Sequence, residues 1–442
     1  MSKLELTISP DYVRSWGIWE AVRELIQNAI DSHEAGHEME ITYNKNREQP
    51  TLQIVNRGVV LDKSTLLLGN TSKSGNPNAR GQFGEGYKLA WLTLLRSNHQ
   101  IWVRSGHERW IPKIEFSDTY NSNLLTVDVA KTNTFESDYR VEIRGLAECD
   151  WLAIKERFLF PPFVSVKEKE MIDLGGSKIL LSRQLRGHLF VKGIWVGDLP
   201  GKYWFGYDLG SLKLDRDRRL ADPWDLKYAI KNVLNDAAQQ NKINSEDLWD
   251  LFQGDQWEES RIIMDMGDFG TESLAAKISE HFKKLNGEGS EIVPVESMQE
   301  SIQAQHFGLK GIVVPKPIKR LVEQKEGKFE DRRSQKALDI KDRFGVESLS
   351  PEEIDNFTWA VDLLRRIQID HPVVIVEFFG EKVMGTFNNG EVSVAKKILV
   401  DRKELISTIV HEIAHHQGDD GSVQHRAAIE EIFGRLVVEL SK

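Results

Sequence analysis

Between Gly69 and Gly86 the chain carries glycine at positions 69, 75, 81, 84 and 86, and the last of these opens an apolar run, Leu89–Leu95. A stretch so rich in glycine is costly inside a helix or strand, so it has to be a loop. Its final piece, Gly81-Gln82-Phe83-Gly84-Glu85-Gly86-Tyr87-Lys88, runs straight into a helix expected to start near Gly86. Glycines let a backbone approach a ligand closely, and amides at a helix N-terminus favour phosphate. Around this loop the periodicity predicts a mixed α/β frame. A helix spans Ser15–Glu34, and strands follow over Glu38–Asn44, Thr51–Asn56, His99–Arg104, Trp110–Phe116 and Leu124–Val129. A glycine-rich turn alone is weak evidence for a nucleotide.

Three further pieces belong with the loop. On the first helix, Glu24, Asn28 and Asp31 stand at i, i+4 and i+7 and share one face. A carboxylate and an amide one turn apart can orient a water and hold hydrated Mg²⁺. The strand Leu52–Asn56 ends in Asn56-Arg57-Gly58, and Gly69-Asn70-Thr71-Ser72-Lys73-Ser74-Gly75 opens the loop. In order and spacing the four pieces resemble the GHKL (Bergerat-fold) ATPases over about residues 1–150. The resemblance implies ATP bound in an α/β sandwich, Mg²⁺ held through Asn28, and a lid over Ser72 to Gly86. It assigns nucleotide contacts to Asp31, Asn56, Gly58, Ser72, Lys73, Gly81, Gln82, Phe83, Gly84, Gly86, Tyr87 and Lys88. The presence of Glu24 matches the hydrolysing branches, in which this residue polarises the attacking water. One departure stands out. The family's first glycine box reads Asp-x-Gly-x-Gly, whereas this chain has Asn56-Arg57-Gly58-Val59-Val60, so an uncharged amide replaces the carboxylate that accepts from adenine.

Residues 151–255 are expected to form a second α/β domain, with strands at Lys178–Ser182 and His188–Val196 and a helix at Trp224–Gln240. After a GHKL domain this looks like a transducer-type domain, whose basic residue reports on the terminal phosphate. Lys192 and Arg218 are the candidates, against the ordinary alternative of surface ion pairs. Residues 256–330 read as a small α/β unit plus connector, alternating Leu274–Leu285, Glu291–Val295, Ser297–Phe307, Gly311–Val314 and Ile318–Val322. The charge-dense segment 316–343 reads as a solvated connector or surface helix. The last domain, 331–442, is expected to hold a strand pair, Val373–Phe379 and Glu391–Ala395, with Asn388-Asn389-Gly390 between them as hairpin chemistry. Two helices, Arg402–Gln417 and Ser422–Leu440, close it.

The first of these helices carries His411-Glu412-Ile413-Ala414-His415. Two imidazoles one helical turn apart suit two ligands of a tetrahedral Zn²⁺, and Glu412 then lies beside the open position as a general base. For a third ligand, His425 falls on the stripe His425, Ile429, Ile432 and Leu436 of the returning helix. Glu430 and Glu431 are the alternatives, and His416 points away. The order of strand, hairpin, HExxH helix and returning helix resembles a minimal zincin metallopeptidase domain over about residues 345–442. A purely structural zinc, an inactive relic and packed histidines remain as other readings of the same residues.

Composition narrows the function. The balance of 58 basic and 68 acidic residues gives a net charge of −10, which disfavours general nucleic-acid binding and fits a protein substrate or client. A single cysteine, Cys149, excludes an intramolecular disulfide framework. No apolar run nears the roughly 20 residues of a membrane span, and Met1–Thr7 lacks a signal-peptide core, so a cytoplasmic setting is expected. The whole reads as a multidomain α/β (α+β) chain with ATP, Mg²⁺ and Zn²⁺ as cofactors. ATP-dependent homodimerisation is expected to regulate a zinc peptidase. Two alternatives stay open: an ATPase switch with a non-catalytic zinc module, and a nucleic-acid-processing ATPase.

Overall fold

A computed structural model of the chain describes residues 2–67, 85–160, 163, 170–215, 222–254 and 256–442. The architecture is mixed helix and sheet, in two compact units. One comprises Met1–Leu199 with Gly206–Arg219, the other Pro200–Phe205 with Leu220–Lys442.

The first unit opens with β1 (Ser2–Glu5), α1 (Ile18–Glu34), β2 (Met39–Asn44), β3 (Thr51–Asn56), α2 (Gly86–Arg96), β4 (Gln100–Ser117) and β5 (Ser122–Arg144). β5 is the spine of an antiparallel sheet: β4 pairs along one edge, and β1 and β3 share the other, with β2 outside β3. Both helices lie on this sheet. Val22, Leu25, Ile26 and Ile30 of α1 meet Leu89, Trp91 and Leu92 of α2 over Ile54, Val103 and Val141 in one core, which fixes α1 beside the N-terminus of α2. Two expectations shift. α1 begins at Ile18 rather than Ser15, because the Glu20 carboxylate accepts from the Gly17 N–H at 2.8 Å while Val13 turns at φ +47°. The three strands expected between 99 and 129 are parts of two long strands, β4 and β5, whose register slips around Gly106.

The first unit continues with α3 (Glu148–Lys155) and a second sheet of β6 (Met171–Asp173), β7 (Ser177–Leu180), β8 (His188–Val191), β9 (Ile194–Asp198) and β10 (Gly206–Leu209). Its strand order is β6-β7-β10-β8-β9. Lys192 and Gly193, at φ +52° and +77°, make the tight turn between β8 and β9 that a two-residue hairpin requires. The Gly193 N–H is held by Asp208 Oδ1 at 3.0 Å.

In the second unit come α4 (Pro223–Gln239), α5 (Ser245–Gln253), α6 (Glu258–Asp265), α7 (Glu272–Asn286), β11 (Ile292–Val295), α8 (Met298–His306), β12 (Lys310–Val313), α9 (Lys316–Glu326) and α10 (Phe329–Ala337). β11 and β12 pair in parallel, as the helix between them demands. The charged segment is less solvated than expected, since α9 buries Ile318, Leu321 and Val322.

The C-terminal part of this unit holds β13 (Ile340–Phe344), α11 (Pro351–Arg366), β14 (Val373–Phe378), β15 (Gly385–Asn388), β16 (Glu391–Ala395), α12 (Arg402–Ala414) and α13 (Val423–Leu440). The strand order is β13-β14-β16-β15. This corrects the expected hairpin. β14 and β16 do pair, but in parallel, and the partner of β16 across Asn389-Gly390 is the intervening β15. Asn389 and Gly390 at φ +50° and +84° have the geometry of a type I′ turn. The core beneath α12 joins Leu405, Ile409, Val410 and Ile413 to Val392, Val394, Leu363, Ile432 and Leu436. Among the described residues no helix is long and apolar enough to cross a membrane.

Candidate metal centre and nucleotide site

The HExxH residues fall at the C-terminal end of α12, with His415 as its C-cap. The chain then reverses and α13 begins. Ser422 caps that helix by accepting from the His425 N–H at 3.1 Å, which sets His425 in the first turn and aims it at α12. His411, His415 and His425 converge as the spacing predicts: ring centroids are 5.1 Å apart for His411–His415, 4.8 Å for His411–His425 and 4.5 Å for His415–His425. His425 is buried, with Nε2 3.2 Å from the His411 carbonyl. His416 faces elsewhere, onto His371 and Phe387, and Glu430 and Glu431 are exposed.

The sequence reading missed a fourth member. Asp420, in the turn between the helices, joins the three histidines in a group whose donor atoms all lie within 4.8 Å of one another. Its Oδ1 is 3.3 Å from His411 Nε2, 3.6 Å from His415 Nε2 and 3.9 Å from His425 Nε2. The donor set of imidazole and carboxylate suits a metal such as zinc. Burial holds the His411 imidazole below its ordinary pKa, which favours the neutral form that ligates.

Glu412 is buried beside this cluster, and burial, aided by the Asp420 charge, pushes its carboxyl up to about 7. Its roof is the edge strand β15. A Cβ on Gly385 would stand 2.8 Å from Glu412 Cγ and 2.7 Å from Thr408 Cγ2, so only glycine lets the strand lie this close.

In the first unit, Glu24 and Asp31 are buried on α1 and Asn28 is half-buried between them. Arg23 Nη2 lies 3.2 Å from Glu24 Oε1. The Glu24 carboxylate rests against the start of α2, where a Cβ on Gly86 would come within 2.5 Å of Oε2. Two separated pieces of the sequence pattern, Glu24 and Gly86, are thus in contact. Asn56 is buried and its Nδ2 donates to the Ala29 carbonyl at 3.0 Å, tying the end of β3 to α1. Gly58 turns at φ +68°, and its N–H donates to Asp138 Oδ1 at 3.0 Å. Asp138, not anticipated from sequence, also pairs with Arg57 at 2.8 Å. The Gly58 amide is the first reason its carboxyl stays below the usual range, Arg57 adding to it.

Tyr87 packs on Trp91 and donates to the Thr65 carbonyl, while the Lys88 ammonium donates to the Leu67 carbonyl. Burial brings the Lys88 pKa down to about 8. Ser72, Lys73, Gly81, Gln82, Phe83 and Gly84, like Arg218, lie outside the described residues. Lys192 sits at the tip of the β8–β9 hairpin. Compared with known proteins, the chain matches no family model and no curated protein.

Proposed function

We propose that this chain binds and hydrolyses ATP in a GHKL-type N-terminal domain, and that the ATP cycle, through homodimerisation, regulates a C-terminal zincin-like peptidase acting on a protein substrate. The observation that carries the reading is the convergence of His411, His415 and His425 beside the buried carboxyl of Glu412. Zinc, when bound, lowers the pKa of its water and polarises a carbonyl. Within that chemistry the three histidines hold the metal. Glu412 takes a proton and returns it to the leaving amine, a task suited to a carboxyl near 7. β15 is a sheet edge lying over Glu412, so an extended peptide can add to the sheet there by main-chain hydrogen bonds.

On the ATP side, Glu24 orients the attacking water, Asn28 holds the hydrated Mg²⁺, and the amides opening α2 receive phosphate. The contact between Glu24 and Gly86 supports this assignment, because it brings a buried carboxylate to a helix N-terminus built for anions. The dimerisation and the coupling rest on the family resemblance and the domain order.

The test is cleavage of an unfolded protein by the purified chain, with zinc content measured in parallel, for wild type and Glu412→Gln. The variant is expected to keep zinc and lose cleavage. Equal cleavage by both would remove Glu412 from its role. A second reading, an ATPase switch whose zinc module is not catalytic, is favoured by Asp420, which brings the cluster to four protein donors. It predicts ATP turnover that is indifferent to Glu412→Gln and no cleavage by either protein.

A further inference from the structure

Asp420 is the member of the metal cluster that stands in the turn, apart from both helices and their caps. It sits in the Gly418–Gly421 turn, and its side chain is 72% exposed, against 43%, 25% and 5% for His411, His415 and His425. The three distances from its Oδ1 to the imidazole nitrogens, 3.3, 3.6 and 3.9 Å, are longer than N–H···O hydrogen bonds, which run about 2.7–3.2 Å. Four ligands around zinc with bonds of about 2.05 Å are separated by about 3.3 Å along the edges of the tetrahedron; the shortest of the three distances equals that edge and the longest exceeds it by 0.6 Å. The carboxylate oxygen therefore stands beside the nitrogens, within reach of a metal that they hold.

We propose that Asp420 is a fourth zinc ligand that closes the metal site at rest, and that its departure opens the position a water or a substrate carbonyl must take. This latch rests on the zinc reading given above and adds a regulatory device to it. Zinc sites with four protein ligands are structural, whereas catalytic ones keep one position open. Of the four donors, Asp420 is the one built to leave. His425 is packed and held by the cap at Ser422, and His411 and His415 are fixed by α12 over an apolar core. Asp420 needs only to rotate into solvent from an exposed turn. Its charge also lowers that of the closed site from +2 to +1, so opening restores the full Lewis acidity where a carbonyl would bind.

The experiment compares full-length wild type, Asp420→Ala and Asp420→Asn, with Asp419→Asn as a control on the same turn. Zinc affinity is measured by competition with a chromophoric chelator. The affinity of each zinc-loaded protein for acetohydroxamate, which needs an open metal position, is measured by calorimetry. Both Asp420 variants are expected to bind zinc at least about tenfold more weakly and acetohydroxamate at least about tenfold more tightly, with Asp419→Asn behaving as wild type. If wild type holds about one zinc and the Asp420 variants match it in both affinities, Asp420 is not a ligand and the zinc reading stands alone. Weaker zinc binding without any gain for acetohydroxamate makes Asp420 a fixed ligand and overturns the latch. A wild-type chain that takes up no zinc removes the latch and the zinc reading together.

Discussion

Replacing Gly86 by alanine tests the proposed nucleotide site through a single methyl group. The added Cβ would stand 2.5 Å from Glu24 Oε2, 3.4 Å from Cδ and 3.7 Å from Cβ. Such contacts do not persist below 3.0 Å and become ordinary at 3.4 Å, so the carboxylate has to retreat by 0.5 to 0.9 Å. It is buried and sits against Arg23, which leaves rotation of its own side chain as the way out. Misplacing a reacting group by about 1 Å costs roughly 100-fold in rate, so ATP turnover is expected to fall by about 10- to 100-fold. Stability should change little. Alanine is worth about 1 kcal/mol over glycine in a helix interior and less at the first position of α2, which offsets part of the cost of moving the carboxylate. The assay is steady-state phosphate release with nucleotide affinity measured by calorimetry. Wild-type turnover in Gly86→Ala, with the Gly86 methyl tolerated, would refute the assignment of Glu24 as the group that orients water.

Glu24→Ala should bind nucleotide as wild type does and release no phosphate above background; unchanged turnover would reassign the water-orienting role. His425→Ala removes a buried donor, and the loss in zinc affinity should exceed the 10- to 100-fold typical of groups that only support a ligand; zinc content per chain after dialysis reads it, and full retention would leave a site made without His425. Lys88 makes a prediction about pH. Its pKa falls from 10.5 to about 8 on burial, so below pH 8 both folded and unfolded chains carry the proton and the burial penalty is present in full. Between pH 8 and 10.5 the unfolded chain binds the extra proton, and stability rises with pH. The shift of about 2.5 units corresponds to about 3 kcal/mol. Wild type measured against Lys88→Met by urea unfolding should gain about 2 kcal/mol of this from pH 7.5 to 10, and parallel curves would show that Lys88 is not buried as a cation.

The parts of the fold legible in the sequence are those whose pattern is local. α1, α2, α12 and α13 each carry an apolar stripe at helical spacing, and Ser422 announces the start of α13 by its cap. The alternation of 274 to 322 likewise gives α7, β11, α8, β12 and α9 in order. What failed depended on pairing between distant segments. β4 and β5 are long because each supports the other on both sides of the register slip, from Arg144 to Arg140 and from Lys131 to Ser122, and the polar stretch Lys131–Ser137 at the slip hides the strand period. β15 is four residues long and contains Gly385. Without it β14 and β16 read as neighbours in a hairpin, and their parallel arrangement is invisible.

The candidate site divides along the same line. His411 and His415 are set by one helical turn, and His425 by an apolar stripe that names its own inward face; each is a statement about a single helix. Asp420 has no such signature, because aspartate beside glycine is what any sharp turn selects, and nothing in the sequence separates it from Asp419. Only the reversal between α12 and α13 decides which of the two carboxylates meets the histidines. Glu24 and Gly86 show the same limit in the other unit. Their residue types and order point to one pocket, but it is the packing of α1 on α2 that presses a carboxylate onto a position where no side chain fits. In both units, then, helix spacing writes the candidate ligands and tertiary contact writes what surrounds them. A substitution at Gly86 or Asp420 should therefore change the chemistry more than the fold, whereas a substitution at Ile26 or Ile409, buried in the two cores, should do the reverse.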